Sequence, residues 1–402
     1  MNNHNNMNIL IVAERFFLEV GAAPSRLMNM AIGLKEQGCE IDILSSLPNY
    51  PKGKIFDDYK GCISKHEQHN GINIFRYWVY ATVSHNPIAR AINMFSFAIM
   101  IWLFALKTKR IKQYDYVIIQ TPTLVSAASA MTIFKKLYHK KCILNVSDIW
   151  PSTAVDMGVM KEGSKSHQFM TWLEKFLYNN SDAILGQSQE ILNHIKKYIP
   201  NTPQLLYRNL QTHHLHEAHT TKHQPLRLVF SGMLGVAQDV LSIIKNVPFS
   251  NLGVEFHIVG GGKQYDAIKQ YIDANPNCGV TIYGFLPKER IPNLLQDFDV
   301  SLVPLATHIQ GAFPSKIYDI IPLGLPIIFS GKGEPADFIN NHKLGCTSSP
   351  EDYEALIDNI KHLCHLSNAE YHKLSENCIA VSRDLLDFQL QIKTTFSFIK
   401  SI

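Results

Sequence analysis

Arg227-Leu228-Val229-Phe230-Ser231-Gly232-Met233-Leu234-Gly235 is a short apolar run that stops at a glycine turn. Such a run, bounded by turn residues, reads as a strand buried on both faces. Outward from it the pattern repeats. A helix is expected from about Gln238, then a strand at Val254–Val259 closed by Gly260-Gly261-Gly262. Helices near 264–274 and 289–297 alternate with strands at Val280–Tyr283 and Val300–Pro304. A helix opening at Pro314, a strand at Pro326–Ser330 and helices at 351–366 and 369–399 complete the series. Alternating strands and helices predict a parallel sheet covered on both faces, a Rossmann-like domain.

The same rhythm fills the first half. Ile9–Ala13 reads as a buried strand, Gly21-Ala22-Ala23-Pro24 as a turn, and 25–37 as a helix stopped by Gly38. Strands follow at Ile41–Leu44, Ile72–Tyr77, Tyr116–Gln120, Lys141–Val146 and Ala183–Gln187, with helices near 89–112, 124–138, 165–179 and 189–198. Between the halves lies a stretch with Pro200, Pro203 and Pro225 and with His213, His214, His216, His219 and His223. It is expected to be an exposed linker. The predicted domains are therefore 1–205, a linker at 206–226, 227–380, and a C-terminal helix at 381–402 that returns to the first domain. Two such halves predict a cleft at the carboxyl ends of the strands.

Hydrophobic residues make up 46% of the 402 and charged residues 18%, which excludes a disordered chain or a charged coiled coil. A net charge of +4 is too mild for a nucleic-acid protein and fits a local basic patch facing phosphate or an anionic membrane. The seven cysteines are scattered, which predicts free thiols. The N-terminus Met1–Asn6 is polar, the apolar run after it is short, and no secretory signal is expected.

The second half carries an ordered set of motifs: Phe230-Ser231-Gly232, Ile258-Val259-Gly260-Gly261-Gly262, Tyr283-Gly284-Phe285-Leu286, Asp299 to Pro304, Pro314-Ser315-Lys316-Ile317-Tyr318-Asp319 and Gly324-Leu325-Pro326-Ile327. In this order they resemble the retaining GT-B glycosyltransferases of family 4. The first half is similar to the WbuB-like branch, which builds bacterial O-antigen and capsule. Its matching segments are Glu19-Val20-Gly21-Ala22-Ala23-Pro24-Ser25-Arg26, Pro48-Asn49-Tyr50-Pro51-Lys52-Gly53 and Asp148-Ile149-Trp150-Pro151. The resemblance implies an α/β GT-B fold of two Rossmann-like domains facing a central cleft.

It also implies a site. Pro314-Ser315-Lys316 opens a helix, where free N–H groups and the lysine charge suit a diphosphate, and Ser315 is expected to cap it. A solvated lysine on a capped surface helix is the alternative. Asp319 stands where the family has a glutamate that accepts both ribose hydroxyls. The family's earlier glutamate falls on Gly311, so half of that pair is missing, and His308, Gln310 or the Ala312 backbone is left to meet the sugar. The family's Arg/Lys pair after the glycine turn is replaced by Met233 and Gln238. Gly21, Gly232, Gly235, Phe285, Ser315, Lys316 and Asp319 are thus expected to bind the nucleotide sugar. For Gly284-Phe285 a plain turn is the alternative to base contact. Glu19, Arg26, Asn49 and Asp148 are expected on the acceptor side, Asp148 and Lys316 being the catalytic pair. Asp148 can equally be a turn residue before Trp150-Pro151.

Ala91–Leu106 is almost wholly apolar and is followed by Lys107, Lys109, Arg110 and Lys112. It is shorter than the ~20 residues that span a bilayer. It is either a buried helix or one lying in a membrane interface, and a lipid-linked acceptor favours the interface. The resemblance implies a UDP-type donor, with N-acetylfucosamine or a similar amino sugar, and a lipid-linked saccharide acceptor. It implies a cytoplasmic protein peripheral on the inner face of the cell membrane. No cofactor, no metal and no nucleic-acid partner are expected. Two alternatives stand. A sugar-nucleotide 2-epimerase of the same fold would need acid/base carboxylates and a histidine. A non-catalytic partner subunit would explain the missing Arg/Lys pair and glutamate.

Overall fold

The computed structural model describes residues 7–19, 21–84, 86–212 and 214–402. Met1–Asn6, Val20 of the first motif and His213 lie outside the described residues. The chain divides into two compact units. One is built from residues up to 211 with 310–312 and 388–402, the other from 212–309 and 313–387.

The first unit runs β1 (Asn8–Ala13), α1 (Ala22–Glu36), β2 (Glu40–Ser46), β3 (Ser64–His69), β4 (Ile72–Tyr77), α2 (Pro87–Lys107), β5 (Tyr116–Gln120) and α3 (Leu124–Met131). It continues with β6 (Lys141–Val146), α4 (Ser152–Asp156), α5 (Lys165–Asn180), β7 (Ala183–Gly186), α6 (Gln189–Lys196) and β8 (Gln204–Leu206). Its strands form one sheet in the order β3-β4-β2-β1-β5-β6-β7-β8. Every pair is parallel except β3 with β4. The central strands are unbroken apolar runs, as a sheet covered on both faces requires. Ile9, Leu10, Ile11, Val117 and Ile143 are fully buried.

The second unit runs β9 (Leu226–Ser231), α7 (Val240–Asn246), β10 (Val254–Val259), α8 (Tyr265–Ala274), β11 (Val280–Gly284), α9 (Ile291–Leu295), β12 (Val300–Pro304) and α10 (Ser315–Ile320). It ends with β13 (Ile327–Ser330), α11 (Glu334–His342), β14 (Gly345–Ser348), α12 (Tyr353–His365) and α13 (Asn368–Leu385). Its sheet is wholly parallel, β11-β10-β9-β12-β13-β14. Its core gathers Phe230, Phe249, Phe256 and Ile258 under α7, α8 and α12.

The last helix, α14 (Phe388–Ser401), belongs to the first unit. Its Ile392 sits where a side chain at Gly33 of α1 would clash, and the Ile402 carbonyl accepts from Lys141 at 2.6 Å. The sequence reading ran α13 and α14 together and passed over Asp387, a helix-start residue directly before Phe388.

Two other expectations need correction, and one strand was not expected at all. The helix expected at 89–112 stops at Lys107, and a 3₁₀ turn takes Arg110–Gln113. Strand β3 reads Ser64-Lys65-His66-Glu67-Gln68-His69; with no apolar residue it leaves no periodicity to find, as suits a protected sheet edge. The histidine-rich stretch is a strap rather than a free linker. Residues 212–226 belong to the second unit. His219 N donates to Ser375 Oγ at 2.7 Å and its ring to Leu323 O. Lys222 donates to Leu363 O at 2.9 Å. All seven cysteines are free.

Candidate active site

In the second unit the order of strands reverses between β9 and β12. The carboxyl ends of these two strands are therefore the switch point, where open α/β sheets bind ligands. The turn that leaves β9 lies flat on the turn that leaves β10. Gly232 N donates to Val259 O at 2.7 Å and Leu234 N to Gly261 O at 2.9 Å. A Cβ on Gly260 would overlap the Gly232 carbonyl, and one on Gly262 would fall 2.6 Å from Leu234 O. The glycine triplet therefore lets two backbones touch.

Lys316, the second residue of α10, reaches across this turn. Its Nζ donates to Ser231 O and lies 5.4 Å from the centre of the Phe230 ring. It fills the space over Gly232 that a side chain there would need. Burial pushes the amine down to about 8, with the Asp319 carboxylate pulling the other way. Asp319 stands one turn further along α10 and is half-buried. An amine lowered to about 8 still carries its proton at neutral pH, and an ammonium held against a glycine backbone at a strand end is a suitable partner for a phosphate anion.

Of the other residues expected to bind the nucleotide, Phe285 and Gly235 lie on the loops that adjoin this turn. Phe285 projects from the end of β11 at 83% exposure, and Gly261 passes its Cβ. Gly235 continues the turn and accepts from Gln238 N at 3.2 Å. Met233 and Val236 point outward from the same loop. Ser315 needs correction: Pro314 is the cap of α10 and no side chain caps it, so Ser315 is the first helical residue. With six residues, α10 is a short helix that ends in a 3₁₀ turn at Ile321–Leu323. A small cavity beside β12 and β13 is lined by Gln238, Asp239, Ala306, Ser330 and Tyr353. The sequence reading passed over it.

Gly311, in the slot of the family's first glutamate, packs with the first unit. Its N–H donates to Glu190 at 2.7 Å and its carbonyl accepts from Ser188 at 2.8 Å. A Cβ there would lie 2.8 Å from Ile191, and φ is +80°. This backbone has no room for a glutamate.

In the first unit the order reverses between β1 and β5. Gly21 caps α1 and is exposed there. Arg26 and Glu19 are turned inward. Arg26 is 1% exposed, and its guanidinium donates to Gln187, Ser147 and Gln120 at the ends of β7, β6 and β5. The Glu19 carboxylate accepts from the backbone of Phe16, Asn49 and Tyr50. Both side chains hold the strand-end loops in place, and the expectation that they reach out to an acceptor is corrected to that extent. Asn49 is half-buried and anchored to Leu47 O. Asp148 follows β6 beside Arg26. Burial raises its carboxyl above the usual range and Arg26 holds it down. Sequence reading missed Glu14. It follows β1, accepts from Ser126 Oγ at 2.9 Å, and is pushed up to about 7 by burial.

The chain holds one Asp-x-Asp string, Asp297-Phe298-Asp299. Asp299 is 1% exposed, and its carboxylate accepts from His223 and from the backbone of Arg227. It fastens the strap. Among the described residues no three His, Cys, Asp or Glu gather as metal ligands.

Residues 21–209 match the glycosyl transferase 4-like domain, and residues 212–381 match glycosyl transferases group 1. The chain is 21% identical over 380 residues to a colanic acid biosynthesis glycosyl transferase, WcaI, of Escherichia coli (strain K12), covering 88% of this chain and 91% of that one. It is 24% identical to the glycosyltransferase WbjE of Pseudomonas aeruginosa over 66% of this chain and 70% of that one. It is 28% identical to the amylovoran biosynthesis glycosyltransferase AmsK of Erwinia amylovora over 33% of this chain and 35% of that one. Among solved structures, sucrose-phosphate synthase from Thermosynechococcus elongatus superposes with a TM-score of 0.72 at 11% identity, covering 98% of this chain and 99% of that one. Anabaena Alr3699/HepE in complex with UDP superposes with 0.65 at 13%, covering 98% and 100%. With one family on each unit and the fold of solved GT-B enzymes throughout, this chain is a glycosyltransferase of the GT-B fold, made of a glycosyl transferase 4-like domain and a group 1 domain.

Proposed function

We propose that the enzyme moves a sugar from a UDP-type nucleotide donor to a lipid-linked saccharide in the assembly of a bacterial surface polysaccharide, with retention at the anomeric carbon. The observation that carries the donor side is Lys316 lodged over Gly232 at the switch point of the second sheet. One amine and the bare backbone of a glycine turn are suited to a diphosphate. Asp319, on the same face of α10, takes the ribose hydroxyls in this reading. The UDP complex of a protein with this fold supports the choice of nucleotide. The names of the colanic acid and amylovoran relatives support the polysaccharide. The amino sugar, such as N-acetylfucosamine, and the retaining course rest on the resemblance to the WbuB-like branch.

In this reading the acceptor hydroxyl attacks from the face the diphosphate leaves. The C–O bond to the acceptor forms as the bond to the leaving phosphate breaks, and the proton passes to that phosphate oxygen. Lys316 acts by stabilising the charge that grows there. Metal and cofactor have no part in the proposal. The acceptor places the reaction at the cytoplasmic face of the membrane.

The test is a transfer assay with UDP-N-acetylhexosamines against polyprenyl-diphosphate monosaccharides, with and without the Lys316→Ala substitution. Transfer is expected with at least one pair, and the substitution should cost about 10²-fold in kcat. An epimerised sugar nucleotide without acceptor would overturn the proposal in favour of an epimerase. UDP binding without turnover on any acceptor would overturn it in favour of a partner subunit.

A further inference from the structure

The outward face of α2 is apolar where a helix on a soluble domain is polar. Ile88, Ile92, Phe95, Ile99, Trp102 and Leu106 fall at alternating spacings of four and three, so they form one stripe along the helix. Their exposures run from 40% at Trp102 to 80% at Leu106. Burial does not account for this stripe, because a different one is buried: Phe97, Ile101 and Phe104 are at most 1% exposed in the core. The helix therefore has two apolar faces, one covered by its own unit and one bare.

The bare face widens at both ends. Tyr80 N donates to Ser96 Oγ at 3.0 Å and Asn93 donates to Tyr80 O at 2.7 Å, which lays the segment with exposed Tyr80 and Val83 along the first half of α2. Lys140 donates to the carbonyls of Lys112 and Tyr114, which brings the turn with exposed Leu137 and Tyr138 beside the region that follows α2.

Charge decides what covers the face. Between Arg76 and Asp115 the sequence has Arg90, Lys107, Lys109, Arg110 and Lys112 and no Asp or Glu, in a chain whose net charge is only +4. Arg110 pairs with Asp42 at 3.1 Å, while Arg90, Lys107, Lys109 and Lys112 are exposed. A second copy set symmetrically on this face would bring like charges together. An anionic lipid surface would attract them, and Trp, Tyr and Lys at the margins of an apolar stripe suit the interface of a bilayer.

We propose that this face docks on an anionic phospholipid bilayer, with α2 lying in the plane of the interface. The helix has the length to span, but its inner stripe belongs to the core of the first unit, so it lies on the membrane. The proposal deepens the lipid-linked acceptor reading by naming the surface that meets the lipid. Its test requires neither donor nor acceptor, so a wrong substrate assignment would leave the result unchanged.

The test is flotation of the full chain with vesicles of phosphatidylcholine, or of phosphatidylcholine with about 30% phosphatidylglycerol, at low and high salt. Binding is expected on the anionic vesicles, weakened by salt, and on neutral vesicles only weakly. Ile92→Glu with Ile99→Glu should reduce it by about tenfold or more, since charge replaces buried apolar area. Lys107→Glu with Lys109→Glu should reduce it on anionic vesicles only. All four positions are exposed, and an unchanged circular dichroism spectrum and Tm check that the variants fold. Absence of vesicle binding by the wild type would overturn the proposal. So would binding that survives both double substitutions, or a dimer in light scattering that Ile92→Glu with Ile99→Glu dissolves while vesicles bind nothing.

Discussion

The amine of Lys316 occupies the space that a side chain on residue 232 would fill, and it donates to the carbonyl of Ser231 just before that residue. The two positions are far apart in sequence and meet only because β9 ends and α10 begins at the same edge of the second sheet. The glycine of the turn and the cation of the helix are one device: the first is bare so that the second can lie over the strand end.

Gly232→Ala tests that device without touching the lysine. The new methyl group would expel Nζ, and the residue's φ of +152° is one that alanine adopts with strain. UDP affinity should fall about tenfold or more, the scale of one charged hydrogen bond. Titration calorimetry on the folded variant measures it. Unchanged affinity would separate the lysine from the phosphate site.

The depressed amine gives nucleotide binding a pH signature. Lys316 is pushed down to about 8 by burial, so the free enzyme loses this proton as pH rises through that value. A bound diphosphate favours the ammonium, so above pH 8 binding must take up a proton. UDP affinity should therefore weaken from pH 8 to 9.5, approaching tenfold per unit, and the slope should vanish in Lys316→Ala. Binding heats in buffers of different ionisation enthalpy would count the proton. A wild-type profile as flat as the variant's would remove the lysine from the site.

Glu14 gives stability a pH signature of the opposite origin. Its carboxyl is pushed up to about 7 by burial at the end of β1. From its ordinary value of 4.5 to about 7 the folded chain binds more protons than the unfolded chain. Stability is therefore eroded as pH rises through this window, and the full penalty stands above it. Glu14→Gln keeps a partner for Ser126 and removes the penalty. Its Tm relative to wild type should rise between pH 5 and pH 8. A difference that stays constant across that range would show that the carboxyl is not penalised by folding.

Gly311→Glu would restore the pattern of the family on paper. Here it should destabilise by about 1–3 kcal/mol, the usual cost of overpacking, because a Cβ meets Ile191 at 2.8 Å and φ is +80°. Denaturant unfolding measures the loss. A stable variant with raised activity would show that this loop can open for a glutamate.

Strand–helix alternation made the parallel strands of the two sheets legible, because a buried parallel strand must be an unbroken apolar run. Strand β3 was illegible because a polar edge strand needs no apolar face. The histidine strap was misread because proline and histidine mark irregular backbone but not what that backbone rests on. Lys316, Gly232 and Asp319 could be named from their motifs. That the Lys316 amine meets the Ser231 carbonyl beside Gly232 could not, since sequence carries no distance between residues 85 apart. The same holds for Arg26 and Glu19, whose charges looked like ligand contacts until their partners on other loops were seen. Composition showed that α2 is apolar, but only packing showed which of its faces the core covers and which it leaves bare. The sequence by itself determined the elements and the residue types at their ends, because backbone periodicity and turn chemistry are local. The tertiary structure decided which of those ends meet and which charges are satisfied internally, because burial and proximity are properties of the packed chain.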